Sequence, residues 1–161
     1  MPEKRKPSVL FVCMGNICRS PTAEAVLRAK AVEAGVEVEI DSAGTIGYHQ
    51  GKRPDSRARA AGEARGYSFE GIRARQIAAG DFDKFDLILV ADRQNLSDLT
   101  AICPAEYLSK LSLLLNFAEE AEEDEVPDPY YGGEAGFEHV LDLIEAAADR
   151  IVAGMKKGDL A

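Results

Sequence analysis

Two short apolar runs constrain this chain more than anything else in it. Val9–Val12 (VLFV) and Asp86–Ala91 (DLILVA) are rich in branched residues and show no apolar–polar alternation. Strands of that length and character are buried on both faces, which favours a parallel sheet covered by helices over an open antiparallel one. The intervening segments carry helical spacing. Ser20-Pro21 with Glu24 opens a helix with apolar positions at Ala23, Val26, Leu27, Ala31 and Ala34, and Gly35 ends it. Val36–Ile40 (VEVEI) alternates and predicts a strand with one polar face. Arg57–Ala64 predicts a short helix ending near Gly66, and Arg93–Thr100 predicts another. Leu111–Phe117 reads as a fourth strand, although its leucines also suit a helix. The apolar stripe from Phe137 to Met155 predicts a long C-terminal helix. Alternating β and α segments specify an α/β fold, expected as one domain over residues 8–157 after a short polar tail at 1–7.

The remaining composition excludes several classes. No apolar run approaches the roughly 20 residues of a membrane-spanning helix, and MPEKRKPS has basic residues but no apolar region of about 7–15 residues ending in small residues after it, so no leader is expected. Three cysteines in such a chain point to thiol chemistry in a reducing, cytoplasmic setting. The net charge of −9 argues against nucleic-acid binding. Residues 52–75 run against that trend, with seven basic side chains and three acidic ones. A solvated helix face explains them more simply than a field that steers an anionic substrate. Six acids in the seven positions 119–125 read as a solvated surface segment.

In open α/β sheets, ligands sit beyond the carboxyl ends of the strands. The loop CMGNICR, residues 13–19, lies at such a place, between a strand end and a helix start. Successive backbone N–H groups and the positive end of the helix dipole make that loop an anion cradle. It matches neither G-x-x-x-x-G-K-[ST] nor G-x-G-x-x-G. It carries a thiol at its base instead. Cysteine among amide dipoles and beside a guanidinium is held as the thiolate, the nucleophilic form. Arg19 supplies a planar fork for two oxygens of a phosphoryl group. Cys13 and Arg19 together therefore point to attack on phosphorus. A buried structural cysteine and a zinc site are the alternatives. Cys13-x4-Cys18 has permissible ligand spacing, but Cys103, His49 and His139 are scattered singly and provide no second pair, so no metal is expected.

The stretch VLFVCMGNICRSPTAE resembles the active-site signature of the low-molecular-weight protein tyrosine phosphatases, C-x5-R-S. The likeness extends along nearly the whole chain through DSAGT at 41–45, RPD-x-RA at 53–58, ARQ at 74–76, D-x-x-N at 92–95 and DPYYGG at 128–133. The resemblance implies a three-layer αβα fold with a four-stranded parallel sheet and the phosphate-binding loop after the first strand. It implies Cys13 as nucleophile and Arg19 as phosphate clamp, with the cradle formed by Met14, Gly15, Asn16, Ile17, Cys18, Arg19 and Ser20. By the same resemblance Ser20 stabilises the thiolate and helps it leave, Asn16 holds an unusual loop turn, and Ser42 braces that loop. Asp128, between two prolines, matches the general acid and base, and Tyr48, Tyr130 and Tyr131 match walls for a phenyl ring. Cys18 matches a second cysteine that can pair with the nucleophile after oxidation; simple packing beneath the loop is the alternative.

The implied substrates are tyrosine-phosphorylated proteins, with inorganic phosphate as product and competitive ligand and with no cofactor. One departure stands out, because Ile72 occupies the position where relatives usually carry a loop-supporting histidine. The same fold also serves thiol-linked arsenate reductases and phosphoarginine phosphatases. The former need two further downstream cysteines where this chain has only Cys103. The latter tend to carry threonine where this chain has Ile17. A phosphate-binding adaptor without turnover is the non-enzymatic alternative, and intact Cys13, Arg19 and Asp128 argue against it.

Overall fold

A computed structural model describes residues 6–118, 121, 123–129 and 134–158. The central sheet has strands β1 (Ser8–Cys13), β2 (Glu39–Gly44), β3 (Leu87–Val90) and β4 (Leu111–Leu113) in the order β2-β1-β3-β4. Every pairing is parallel. The helices are α1 (Arg19–Ala34), α2 (Ser56–Ala64), α3 (Ala79–Lys84), α4 (Arg93–Thr100) and α5 (Glu134–Lys157). The expected α/β sandwich is the observed one.

Period-2 alternation along β1 sorts its side chains into two cores. Val9, Phe11 and Cys13 face a core built from Val26 and Leu27 of α1 and from Val140, Leu141, Ile144 and Ile151 of α5. Leu10 and Val12 join Ile88 and Val90 against Phe82, Phe85 and Leu99, on and beside α3 and α4. With both faces covered, the run Val9–Val12 is wholly apolar, and the one polar residue of β1, Ser8 at its start, is buried and hydrogen-bonded to Asp86. Its two neighbours, β2 and β3, lead the chain in opposite directions, so the loop after β1 lies at a topological switch point.

Two expectations need adjustment, and one helix is additional. The second strand begins at Glu39, not Val36, and runs through Asp41, Ser42, Ala43 and Gly44. It is defined by its register on β1, Ser8 opposite Glu39 through Cys13 opposite Gly44. Val36 and Val38 pack against the core as a lead-in. Leu111–Phe117 divides into the three-residue β4 and a 3₁₀ turn at Leu114–Phe117, because Leu114 and Leu115 both pack into the core of α1 and α5 while Leu113 packs into the other, and a strand cannot point consecutive side chains to one side. Helix α3 had no sequence signal; Asp81 creates its start by accepting the backbone N–H of Ala78 at 2.7 Å.

Lys52, Arg53, Arg57 and Arg73 of the basic stretch are exposed, as expected of a solvated face, but two of its residues are engaged. Arg65 pairs with Glu138, Asp142 and Glu145 of α5, and Arg75 pairs with Asp81 and Asp41. Gly35 ends α1 at φ 72°, as its position predicted.

Candidate active site

The loop between β1 and α1 folds around Asn16, the one non-glycine residue with positive φ (57°) among the described residues. Asparagine tolerates that region better than most side chains. Its amide also locks the turn. Oδ1 accepts the backbone N–H of Arg75 at 2.9 Å, while Nδ2 donates to Ser20 Oγ at 2.8 Å and Ser42 Oγ at 3.0 Å. The segment that follows β2 also holds the loop. Thr45 N–H donates to the carbonyl of Cys13, and Ile46 N–H to that of Met14. Gly44 permits this approach, since a Cβ there would lie 2.6 Å from the Met14 carbonyl oxygen.

Cys13 is 3% exposed at the carboxyl end of β1. Its Sγ lies 3.0 Å from Ser20 Oγ and 3.5 Å from the donating Ser20 N–H in the first turn of α1. Arg19 is equally buried and oriented by two acceptors. One terminal nitrogen donates to Asp92 Oδ2 at 2.7 Å and to the Val126 carbonyl at 3.0 Å. The other lies 3.7 Å from Asp128 Oδ2. Burial opposes the Arg19 charge, but Cys13, Asp92 and Asp128 outweigh it and raise its pKa above the ordinary value.

A cleft of about 320 Å³ opens over these groups, lined by Cys13, Arg19, Cys18, Tyr48, His49 and Asp128 among others. Asp128 is about one-third exposed. Tyr48 stands out at the rim, meeting His49 edge-on with ring centroids 4.9 Å apart. Tyr130 and Tyr131 lie outside the described residues. Cys18 is buried against Ala58 and Phe137, and its carbonyl accepts from Thr22. Burial, reinforced by Asp55 and Cys13, pushes its thiol well above the usual range, so Cys18 is a protonated thiol. Both loop cysteines are free. Cys103 is half-buried between α4 and β4 and is not among the cleft-lining residues. No cluster of three or more metal-ligating side chains occurs among the described residues, and no helix there is long and apolar enough to cross a membrane.

Three contributors had no individual reading in the sequence. Asp92 fixes Arg19 across the sheet, and the reciprocal bonds of its D-x-x-N segment with Asn95 cap α4 and hold the carboxylate in place. Arg75 acts on the loop through its backbone. Glu24, 4% exposed, accepts the Ser42 hydroxyl at 2.6 Å and the Arg28 guanidinium at 2.6 Å. Burial pushes the Glu24 carboxyl pKa up, while Ser42 and Arg28 pull against it. Ile72 is buried against Ala25 and Phe69 and presents no polar atom to the loop.

Comparison with known proteins bears on this geometry. The family model described as low molecular weight phosphotyrosine protein phosphatase matches residues 8–159. The chain is 40% identical to the low molecular weight protein-tyrosine-phosphatase YfkJ of Bacillus subtilis over 152 residues, which cover 93% of this chain and 96% of that one. It is 42% identical over 154 residues to the low molecular weight protein-tyrosine-phosphatase of Streptomyces coelicolor, covering 92% and 93%. Among solved structures, a protein tyrosine phosphatase from Entamoeba histolytica, crystallised with Hepes in the active site, superposes with a TM-score of 0.92. Its identity to this chain is 41%, covering 96% of this chain and 100% of that one.

Proposed function

The chain belongs to the low molecular weight phosphotyrosine protein phosphatase family, a family of protein tyrosine phosphatases, and on that premise we propose that it hydrolyses phosphotyrosine on proteins through a cysteinyl-phosphate. One observation carries this reading. A thiol with a hydroxyl 3.0 Å away, a buried guanidinium and a carboxylate 3.7 Å from that guanidinium all converge on one cleft.

The groups divide the two chemical steps between them. Cys13 Sγ attacks phosphorus as the phenolic P–O bond breaks, and Asp128 gives its proton to the departing oxygen. Arg19 and the amides of residues 14–19 hold the equatorial oxygens, where charge accumulates. In the second step Asp128 accepts a proton from water as that water attacks phosphorus. The S–P electron pair returns to Cys13, and the Ser20 hydroxyl receives the developing thiolate. Inorganic phosphate leaves and competes for the same cradle. Tyr48 walls the phenyl ring, a role that the family resemblance also gives to Tyr130 and Tyr131. The scheme uses no metal or cofactor, and it suits a cytoplasmic setting where thiols stay reduced. The decisive assay is hydrolysis of p-nitrophenyl phosphate near pH 6 in chelator, with arsenate reduction by thioredoxin as the contrasting measurement. Turnover of arsenate alone sinks the reading.

Asp128→Asn is expected to slow turnover by about 10²–10⁴-fold on leaving groups that need a proton. The loss shrinks as the leaving phenol becomes more acidic, because a stable phenolate departs unaided. A leaving-group series of aryl phosphates measures this, and a uniform loss across the series removes Asp128 from the role.

The second thiol has a protective task in this scheme. Peroxide converts Cys13 to sulfenic acid with release of water; the Cys18 thiol then condenses with it to a disulfide, releasing a second water. Peroxide-treated enzyme is expected to regain most activity in dithiothreitol. Cys18→Ser should hydrolyse substrate normally yet stay largely inactive after the same cycle. Equal recovery in both proteins reduces Cys18 to a packing residue.

A further inference from the structure

We infer that Glu24 is a positioning residue for the leaving thiolate: through Ser42 and Asn16, its carboxylate directs the Ser20 hydroxyl proton onto Cys13 Sγ. The inference rests on the cysteinyl-phosphate reaction proposed above and extends it to a buried acid outside the cleft.

The argument is a count of protons. The Arg75 N–H is held in place by the backbone, with Gly44 N–H donating to the carbonyl of the same residue at 2.8 Å. Its bond to Asn16 Oδ1 fixes which way the amide faces, so both Nδ2 protons must point at the two serines. Each serine oxygen is then an acceptor, and each must send its own proton elsewhere. Ser42 sends its proton to Glu24 Oε1 at 2.6 Å. For Ser20 the choices are Cys13 Sγ at 3.0 Å and the Ala43 carbonyl at 3.4 Å, and the sulfur is nearer. Polarity is therefore set at both ends, by a backbone donor on one side and by a carboxylate on the other.

Glu24 suits the terminal position. Its second oxygen is paired at 2.6 Å with Arg28, which also donates to the Ile40 carbonyl in β2; this ion pair favours the carboxylate, and a carboxylate can only accept from Ser42. An ionised side chain this deep in α1 is costly unless paired, and a helix that needed only packing would favour an apolar residue there. The isoleucine at 72 contributes no polar atom, so the hydrogen-bonded chain ends on Glu24 and Arg28.

The consequence falls on the second chemical step. When water displaces sulfur from phosphorus, the S–P electron pair settles on Cys13 and needs the Ser20 proton pointing at it. If Ser42 has no acceptor, its hydroxyl turns back on the Asn16 amide, donor against donor, and the amide's hold on Ser20 loosens.

Glu24→Gln tests this at nearly constant volume, because one carboxamide oxygen cannot serve both Ser42 and Arg28. With p-nitrophenyl phosphate, kcat of this variant is expected to fall about fivefold, the scale of one misdirected buried hydrogen bond. KM falls with it, kcat/KM stays within about twofold, and a stopped-flow burst of p-nitrophenol approaches one equivalent per enzyme, since only breakdown of the intermediate is slowed. Ser42→Ala should give the same pattern, and the double variant should be no worse than Ser42→Ala alone. Unchanged kcat in Glu24→Gln, an equal loss of kcat/KM without a burst, or multiplied losses in the double variant would each overturn the inference. Should Glu24→Gln not fold, Ser42→Ala decides alone: undiminished kcat refutes the inference. A parent protein that forms no cysteinyl-phosphate refutes the reaction itself, a result distinguishable from all of these.

Discussion

Cys13→Ser is expected to abolish hydrolysis of aryl phosphates while leaving the phosphate site intact. The proposed reaction needs an ionised nucleophile on the β1 side of the cradle. A serine hydroxyl at neutral pH is not ionised and has no general base beside it, since its nearest polar neighbour is the Ser20 hydroxyl. The expected loss is at least about 10⁴-fold in kcat, comparable to removal of a nucleophile elsewhere. The anion site should survive, because it is made from Arg19 and from loop amides whose shape depends on Asn16 and not on sulfur. Calorimetric titration with inorganic phosphate should give an affinity close to the parent's. A variant that still turns over at parental rate excludes Cys13 as nucleophile. One that neither turns over nor binds phosphate indicates a collapsed loop, and the role would then rest on trapping the phosphoenzyme in the parent.

The readable part of this site was the part built from neighbours in sequence. Cys13, Arg19 and Ser20 fall within eight residues, and a strand-to-helix turn brings them together with little help from the rest of the chain. Asn16 belongs to the same group, since its tolerance of positive φ is a property of the residue itself. Strands β1 and β3 were legible for a similar reason: burial on both faces leaves an unbroken apolar run. What stayed hidden depends on partners distant in sequence. Strand β2 carries Asp41, Ser42 and Gly44, which look like a loop, and only register with β1 makes them a strand. Helix α3 exists because Asp81 caps it while pairing with Arg75. Asp92 reaches Arg19 across 73 residues, and nothing near Asp92 in sequence announces that contact. Glu24 sat in a recognisable helix opening, where an acid is ordinary; only its burial beneath Ser42 makes it unusual. Most of the basic stretch is the solvated face it suggested, with Lys52, Arg53, Arg57 and Arg73 exposed, but the commitment of Arg65 to α5 and of Arg75 to the segment that supports the loop was not legible.

Arg19→Lys is expected to be severely damaging, second only to loss of the nucleophile, although the charge is kept. The guanidinium here serves two sets of partners at once. One terminal nitrogen is held by Asp92 and the Val126 carbonyl, and this fixes the plane of the group and aims the rest of the fork into the cleft. Lysine has a single ammonium on a flexible stem. If it stays with Asp92, the cradle loses its bidentate clamp; if it turns to the phosphate, Asp92 is left with no cationic partner in a largely buried position, at 23% side-chain exposure. Either way the equatorial oxygens lose donors where charge builds up in both chemical steps. Removing one preorganised donor of this kind costs about 10²–10³-fold in kcat. A lost fork that also frees Asp92 places the expected fall in kcat/KM at the upper end, near 10³-fold. Because Arg19 binds ground state and transition state alike, phosphate should also inhibit this variant more weakly, unlike Cys13→Ser. Steady-state kinetics with p-nitrophenyl phosphate, and inhibition by phosphate at the same pH, measure both effects on protein shown to be folded by circular dichroism. A loss under tenfold in kcat/KM would mean that charge alone suffices, and that the fork held by Asp92 is not what aligns the phosphoryl group.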